Sequence, residues 1–392
     1  MYHLVIQENL VAMLVNISKI SQLLITIVIA TFSYTQLTVL DSPIGISQVL
    51  LLVAYFILFL NTSQSNKRYT VSVALIMPAI VLLSFISISI FFSFQALEAQ
   101  IYNILALLLN VLLIIYFAIH KIKFNLFVNA GYFLLTTLFI IYFLDVIGVN
   151  VGIQVGYYPL EGYRLQGFST NPNQLSMALL FFSIFFIEKS HSSRTKTSYI
   201  ALIACVYFIY LTSSDAAMLG FLFGLLVYLY YTHLDKYLYL KLLFVLLSVL
   251  TLFILAPALV DFLNDKNIHQ VSTRYKLWAN GMQSFYNSPI VGNGLAAHSW
   301  LDNPLETHES HNLYIDILSN VGIAGFLIFS VHVLYIYIDL GKKTIVDMKP
   351  FIMALISSVL FYSLFHNSMR SIYLWLVFSI AIYFIRKRQC VD

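Results

Sequence analysis

A histidine and an asparagine, His311 and Asn312, sit where a hydrophilic stretch runs into an apolar one, in the segment ETHESHNLYIDILSNVGIAGF. An imidazole titrates near 6.5, the range a general base needs at neutral pH. Nearly everything around this segment is lipid-soluble. Chemistry that needs ionisable groups is confined to a few places, and this is the richest of them. Two other uses of the same residues stay open. His308, Glu309 and His311 could form part of a zinc site that Glu306 and His298 would complete, although the two histidines stand three apart rather than the four of the HExxH arrangement. His311 could also do no more than cap its helix.

Anion binding is the second chemistry on offer. Three apolar stretches start at capping residues: Asn171-Pro172-Asn173, Ser213-Ser214-Asp215 and Ser310-His311-Asn312. A helix start carries unpaired N–H groups and about half a positive charge, which suits phosphate. Asn171 is a good cap and Pro172 suits the first helical position. Singly, each can be only a cap. All three fall on the same side of the expected membrane layout as Arg164 and Arg274, which favours an anion site. Arg370, in the turn HNSMR, falls on that side too.

The elements that must hold these groups are membrane helices. Sixty per cent of the residues are hydrophobic and 10% charged, against roughly 25% charged in soluble domains, which excludes a soluble globule. Apolar runs fall near 20–40, 45–61, 70–93, 100–119, 127–148, 172–187, 198–212, 214–231, 238–258, 312–338, 350–366 and 371–385. Each can cross roughly 30 Å of hydrocarbon as a helix. With the N-terminus cytoplasmic, sixteen of the 21 Lys and Arg fall on inside segments, as the positive-inside rule requires. The other five are Arg164, Lys266, Arg274, Lys276 and Arg370. The expected fold is therefore an all-α polytopic membrane protein of about twelve transmembrane helices with both termini inside. Residues 1–258 would hold helices one to nine with a small outer loop at about 149–171. Residues 259–311 would form one large outer loop, and 312–392 the last three helices and a basic tail. The net charge of +4 follows from the inside segments and gives no reason to expect nucleic acid. Cys205 lies within a span and Cys390 in the tail, so no disulfide is expected.

The two long outer segments are the places for function. In the larger one, Tyr275, Trp278, Met282 and Phe285 make a helical stripe, with Ser272 as its cap and Pro289, Gly292 and Gly294 at its end. That helix either lies in the lipid headgroups or packs on its own loop. Asp316, a turn after His311, could orient His311 or an arginine. Gly322 and Gly325 suit close helix packing. Tyr157, Tyr158 and Tyr163 suit interface anchoring more than sugar stacking.

The segments GYRLQGFSTNPNQLSMAL, SSDAAMLG, STRYKLWANGMQSFYNSPIVGNG and SHNLYIDILSNVGIAGF, in that order, resemble the O-antigen ligase/polymerase superfamily, which includes Wzy-type polymerases and lipid A-core ligases. The resemblance covers about residues 160–330 and is only architectural before them. It implies an inverting glycosyl transfer from an undecaprenyl-diphosphate-linked oligosaccharide, with no metal and no cofactor, at the periplasmic face of a bacterial inner membrane. His311 would activate the acceptor hydroxyl, and Arg274 and Arg164 would hold the diphosphate. Asn171, Asn173, Ser214, Asp215, His308, Asn312, Tyr314 and Arg370 make up the remaining expected substrate contacts. One departure stands out. Many relatives carry an arginine where this chain reads SSDAA, so Asp215 stands where a cation is expected; either Arg370 replaces the missing charge or the site uses only Arg164 and Arg274.

A polymerase joining lipid-linked repeat units, as donor and acceptor, is the leading expectation. It would work beside a chain-length regulator and a flippase. A ligase moving finished glycan to lipid A-core is the same-class rival, and a lipid-linked oligosaccharide flippase is the rival from another class. Transporters place binding groups near the midplane, often in two related halves. Here the ionisable groups gather at one face, and no half-to-half repeat is visible.

Overall fold

The computed structural model describes residues 20, 23–32, 49–54, 76–92, 97–119, 123–157, 162–234, 276–295, 310–343 and 348–386. Their helices are α1 (23–31), α2 (49–54), α3 (Met77–Phe92), α4 (Leu97–Ile119), α5 (Phe124–Val146), α6 (Pro172–Ser193), α7 (Lys196–Leu211), α8 (Asp215–Leu229), α9 (276–287), α10 (Leu313–Lys343), α11 (Lys349–Tyr362) and α12 (Ile372–Arg386). Every expected apolar window holds one of these except 238–258, which lies outside the described residues. Helix α9 is the one expected in the large loop. Among the described residues, Phe124–Val146, Asp215–His233 and Leu313–Leu340 are long and apolar enough to cross a membrane, and five shorter apolar helices accompany them. The chain is a multi-pass, all-α membrane protein in its architecture.

The chain divides into two compact units: Met1–Ser72 with Tyr116–Met218, and Val73–Ile115 with Leu219–Asp392. In the first, α6 is the core helix, buried on every side from Leu175 to Ser190 apart from Lys189. That follows from a sequence apolar all round rather than along one stripe. Its phenylalanines interlock with α5, Phe127 stacking on Phe185 at 5.0 Å between centroids and Tyr132 tilting on Phe186 at 5.0 Å. Between α5 and α6 the chain forms a feature the sequence did not announce. Gly156–Tyr157 pairs antiparallel with Arg164–Leu165 as strands β1 and β2. Gln166 N and Gly167 N both donate to the Val155 carbonyl, at 3.0 and 2.9 Å, and fasten this hairpin. Tyr163 lies across Gly156, where no side chain would fit. Its hydroxyl donates to Asp145 at 3.3 Å, which explains that carboxylate within a span as a structural partner.

In the second unit α10 packs on α3 and α12, and α11 on α12. The apolar run expected at 312–338 is not one straight helix. Gly322 has φ 65° and ψ −166°, a non-helical conformation that splits α10 into α10a (313–321) and α10b (323–343). The rings of Tyr314 and Phe329 lie 6.5 Å apart, although a straight helix would separate those positions by about 22 Å. The helix therefore bends sharply at Gly322, between α10a and α10b. Such a break frees carbonyls on one side and N–H groups on the other. The loop after α9 satisfies both. Asn293 N and Gly294 N donate to the carbonyls of Ser319 and Asn320, at 2.9 and 2.8 Å. Ile323 N and Ala324 N donate to those of Pro289 and Ile290, at 2.8 and 3.0 Å. Gly322 is thus required for close approach, as its sequence context suggested, but the partner is a loop backbone rather than a helix.

Helix α9 ends at the predicted Pro289–Gly294 turn, yet its buried face is Leu277, Gly281, Ser284 and Ser288. Trp278, Met282 and Phe285 flank that face, half-buried. Tyr275 and Ser272 lie outside the described residues.

Candidate active site

Asn312 caps α10a, its Oδ1 accepting from Tyr314 N at 2.9 Å and Ile315 N at 3.1 Å. Its Nδ2 donates to the Leu364 carbonyl at 2.8 Å. Leu313 N donates to the Ser363 carbonyl at 2.9 Å, and the Tyr314 hydroxyl to Leu360 O at 3.2 Å. The start of α10a is thereby bolted to the end of α11 and the turn beyond it. On its other side, Ser310 donates to Asp316 Oδ1 from both its N, at 3.1 Å, and its Oγ, at 2.6 Å. Asp316 is fully buried and lies in the first helical turn, where a carboxylate suits the dipole. Its bonds to Ser310 hold the residue preceding His311.

His311 itself sits at φ 52°, in the left-handed region. For a residue with a Cβ this costs of order 1–2 kcal/mol, and the anchoring of Ser310 and Asn312 on either side sustains it. Strain of this kind clusters at active sites and switch regions; Arg194 and Ser213 share it here at helix ends. The half-buried ring meets His366 edge to face, with centroids 5.9 Å apart and planes at 81°. His366 lies in turn flat on Tyr362, at 4.8 Å and 23°.

The turn that carries His366 also carries Arg370. Nη1 of Arg370 donates to Asn103 Oδ1 at 2.6 Å, and its carbonyl accepts from Asn110 Nδ2 at 3.0 Å. Asn103 uses its other end to donate to the Leu295 carbonyl, while Leu295 N donates to Ser89 Oγ at 2.8 Å. One asparagine on α4 therefore joins the arginine to the chain returning from α9. Arg370 is exposed, and its guanidinium is charged at physiological pH.

In the other unit, Arg164 meets two of the expected helix starts. Its Nε donates to Thr212 O at 3.0 Å, and its Nη2 to Ser213 O at 3.4 Å and to Asn173 Oδ1 at 3.3 Å. Asn171 caps α6, its side chain accepting from Asn173 N at 2.9 Å, with Pro172 in the first turn. Ser213 is left-handed at φ 49°, and α8 follows at the exposed Asp215. Ser214 occupies the cap position, but its buried Oγ makes no hydrogen bond within the described residues. Arg164 thus closes the carbonyl end of α7, a cation where the dipole favours one.

The structure brings His311, Asn312, Tyr314 and Arg370 together in one unit, and Arg164, Asn171, Asn173, Ser214 and Asp215 in the other. Arg274 and His308 lie outside the described residues, as do Glu309, Glu306 and His298 of the zinc alternative. Sequence reasoning missed His366, Tyr362 and Asn103. The first stands in the same HNSMR turn as Arg370 and was open to view. Asn103 carried only the signal of a polar residue within an apolar run.

Residues 200–330 match the family model described as O-antigen ligase. The match covers about a third of the chain and supports its similarity to the O-antigen ligase/polymerase superfamily. No curated protein matches the chain.

Proposed function

We propose, from that superfamily and from the setting of His311, that the protein is a glycosyltransferase polymerising oligosaccharide repeat units carried on undecaprenyl diphosphate. The observation that carries this reading is the construction around His311: a strained, half-buried imidazole anchored on both sides, beside a turn bearing an arginine. A nitrogen of His311 would take the proton of the acceptor hydroxyl as its oxygen attacks the anomeric carbon. The new glycosidic C–O bond forms while the C–O bond to the diphosphate breaks, and the electron pair leaves on the lipid-borne diphosphate. A single displacement inverts the anomeric centre. Arginine and helix-start N–H groups suit the charge that develops on the leaving group. Arg370, Arg164 and Arg274 are the proposed cations, with Asn171, Asn173, Ser214, Asn312, Tyr314 and His308 as polar contacts. Asp215 would repel a diphosphate, so its place is beside the sugar rather than the phosphates. No step calls on a metal.

The layout proposed for this reaction is the twelve-span, N-inside one, in a bacterial cytoplasmic membrane with His311 facing the periplasm. A flippase would deliver the lipid-linked units, and a chain-length regulator would act on the product. Transfer to lipid A-core is a second reading, favoured by the description of the matched family. Purified protein incubated with the lipid-linked glycan that accumulates in its host when the enzyme is deleted separates the two. A polymerase makes a ladder from that material alone; a ligase makes none until lipid A-core is added. His311→Ala should abolish either product while membrane insertion stays normal. Unchanged product from that variant would sink the assignment.

A further inference from the structure

We propose that His366 is a positioning residue that sets the ring orientation of His311, an inference that rests on reading His311 as the base for the acceptor hydroxyl. The backbone at His311 is fixed by its neighbours, at φ 52°, but backbone alone does not aim an imidazole. The outer torsion of a histidine is broad and roughly two-fold, so a packed partner has to select one orientation. His366 is placed to be that partner, with its ring perpendicular to that of His311 at 5.9 Å. Its own ring is immobilised by lying flat on Tyr362 at 4.8 Å, and both His366 and Tyr362 are buried, 6% and 2% exposed. The rings of Tyr362, His366 and His311 therefore form a series that starts on the last turn of α11.

That starting point matters. Leu364 and Ser363, which accept from Asn312 Nδ2 and Leu313 N, belong to the same short stretch. Backbone and ring of His311 are thus referenced to one element, and the imidazole cannot drift relative to the helix start beside it. A misplacement of about 1 Å at a reacting group can cost about 100-fold in rate. His366→Ala removes the edge that selects the His311 orientation without touching the residues that hold its backbone. His366→Phe keeps a flat ring on Tyr362 and an aromatic edge toward His311.

The test uses the full-length protein in detergent, with the lipid-linked glycan accumulated by the deletion host as probe, and reads kcat and KM separately. His366→Ala is expected to lower kcat about 10- to 100-fold with KM changed less than about twofold. His366→Phe is expected to recover kcat to within about threefold of the parent. Tyr362→Leu should lower kcat as well, and combining it with His366→Ala should add little. Size-exclusion profiles identify any variant that misfolds, and His366→Phe with Tyr362→Leu then decide the matter. Unchanged kcat in a folded His366→Ala overturns the proposal, as does a His366→Phe as inactive as the alanine variant. His311→Ala runs alongside. If it retains activity, the underlying assignment has failed; if it is dead while His366→Ala is normal, only the positioning role has failed.

Discussion

Gly322→Ala is the substitution whose cost the backbone geometry fixes most closely. Gly322 adopts φ 65° with ψ −166°, a region almost exclusive to glycine, where another residue costs of order 1–3 kcal/mol. A Cβ there would lie 2.3 Å from the Ile290 carbonyl oxygen and 2.6 Å from Val291 N. Those are backbone atoms of the loop that satisfies the broken helix, so no side chain can swing away to make room. The loop must retreat, and its bonds from Ile323 N and Ala324 N go first. At about 1 kcal/mol each, two lost bonds on top of about 2 kcal/mol of strain give about 4 kcal/mol. The assay is unfolding in detergent, followed by size-exclusion after heating and by product formation at permissive temperature. Gly148→Ala supplies the comparison: its φ is 77° with nothing within 4 Å of the new methyl, so it carries strain alone. Gly292→Ala, whose Cβ would meet Asn320 O at 2.4 Å from the opposite side, should be about as damaging, and the pair should be less than additive because both open one clasp. A Gly322→Ala protein no less stable than Gly148→Ala would refute the reasoning, since the clash would then have no energetic consequence.

Asn312→Ala removes a helix cap and the bond to Leu364, and should cost about 1–2 kcal/mol while lowering kcat more than it raises KM; equal effects on both would argue that His311 is not held by its neighbour. Asn103→Ala releases the Arg370 guanidinium while its backbone stays tied to α4 through Asn110, and should raise KM for the lipid-linked glycan, on the order of 10-fold for a loss of about 1.4 kcal/mol; an unchanged KM would mean that Asn103 does not aim Arg370 at the substrate. Arg164→Lys replaces a planar fork with a single point charge and should lower the melting temperature, because Thr212, Ser213 and Asn173 cannot all be reached by one ammonium. No loss of stability there would mean that the guanidinium is not needed at the end of α7.

The local signals in the sequence were read well where they depend on neighbours alone. Asn171-Pro172 and Asn312 start helices because their side chains reach N–H groups two or three residues on, which is written in the order of the residues. The α9 terminus at Pro289 was legible for the same reason. The break at Gly322 was not, because the run of apolar residues continues through it and a glycine inside such a run has two meanings. Only the loop at 289–294, which arrives through tertiary folding, decides between them. The side of α9 that packs on protein, Leu277, Gly281, Ser284 and Ser288, was not legible because three of its four residues carry no apolar signal. The pairing of His311 with His366 joins residues 55 positions apart, and the link from Asn103 to Arg370 joins residues 267 apart; no spacing rule reaches that far.

Helices α11 and α12 have 14 and 15 residues, so each is about 21–22 Å long, some 8 Å short of the hydrocarbon thickness. Both helices are buried by protein over most of their described length, so the turn between them, which carries His366 and Arg370, is positioned by helix packing rather than by surrounding lipid.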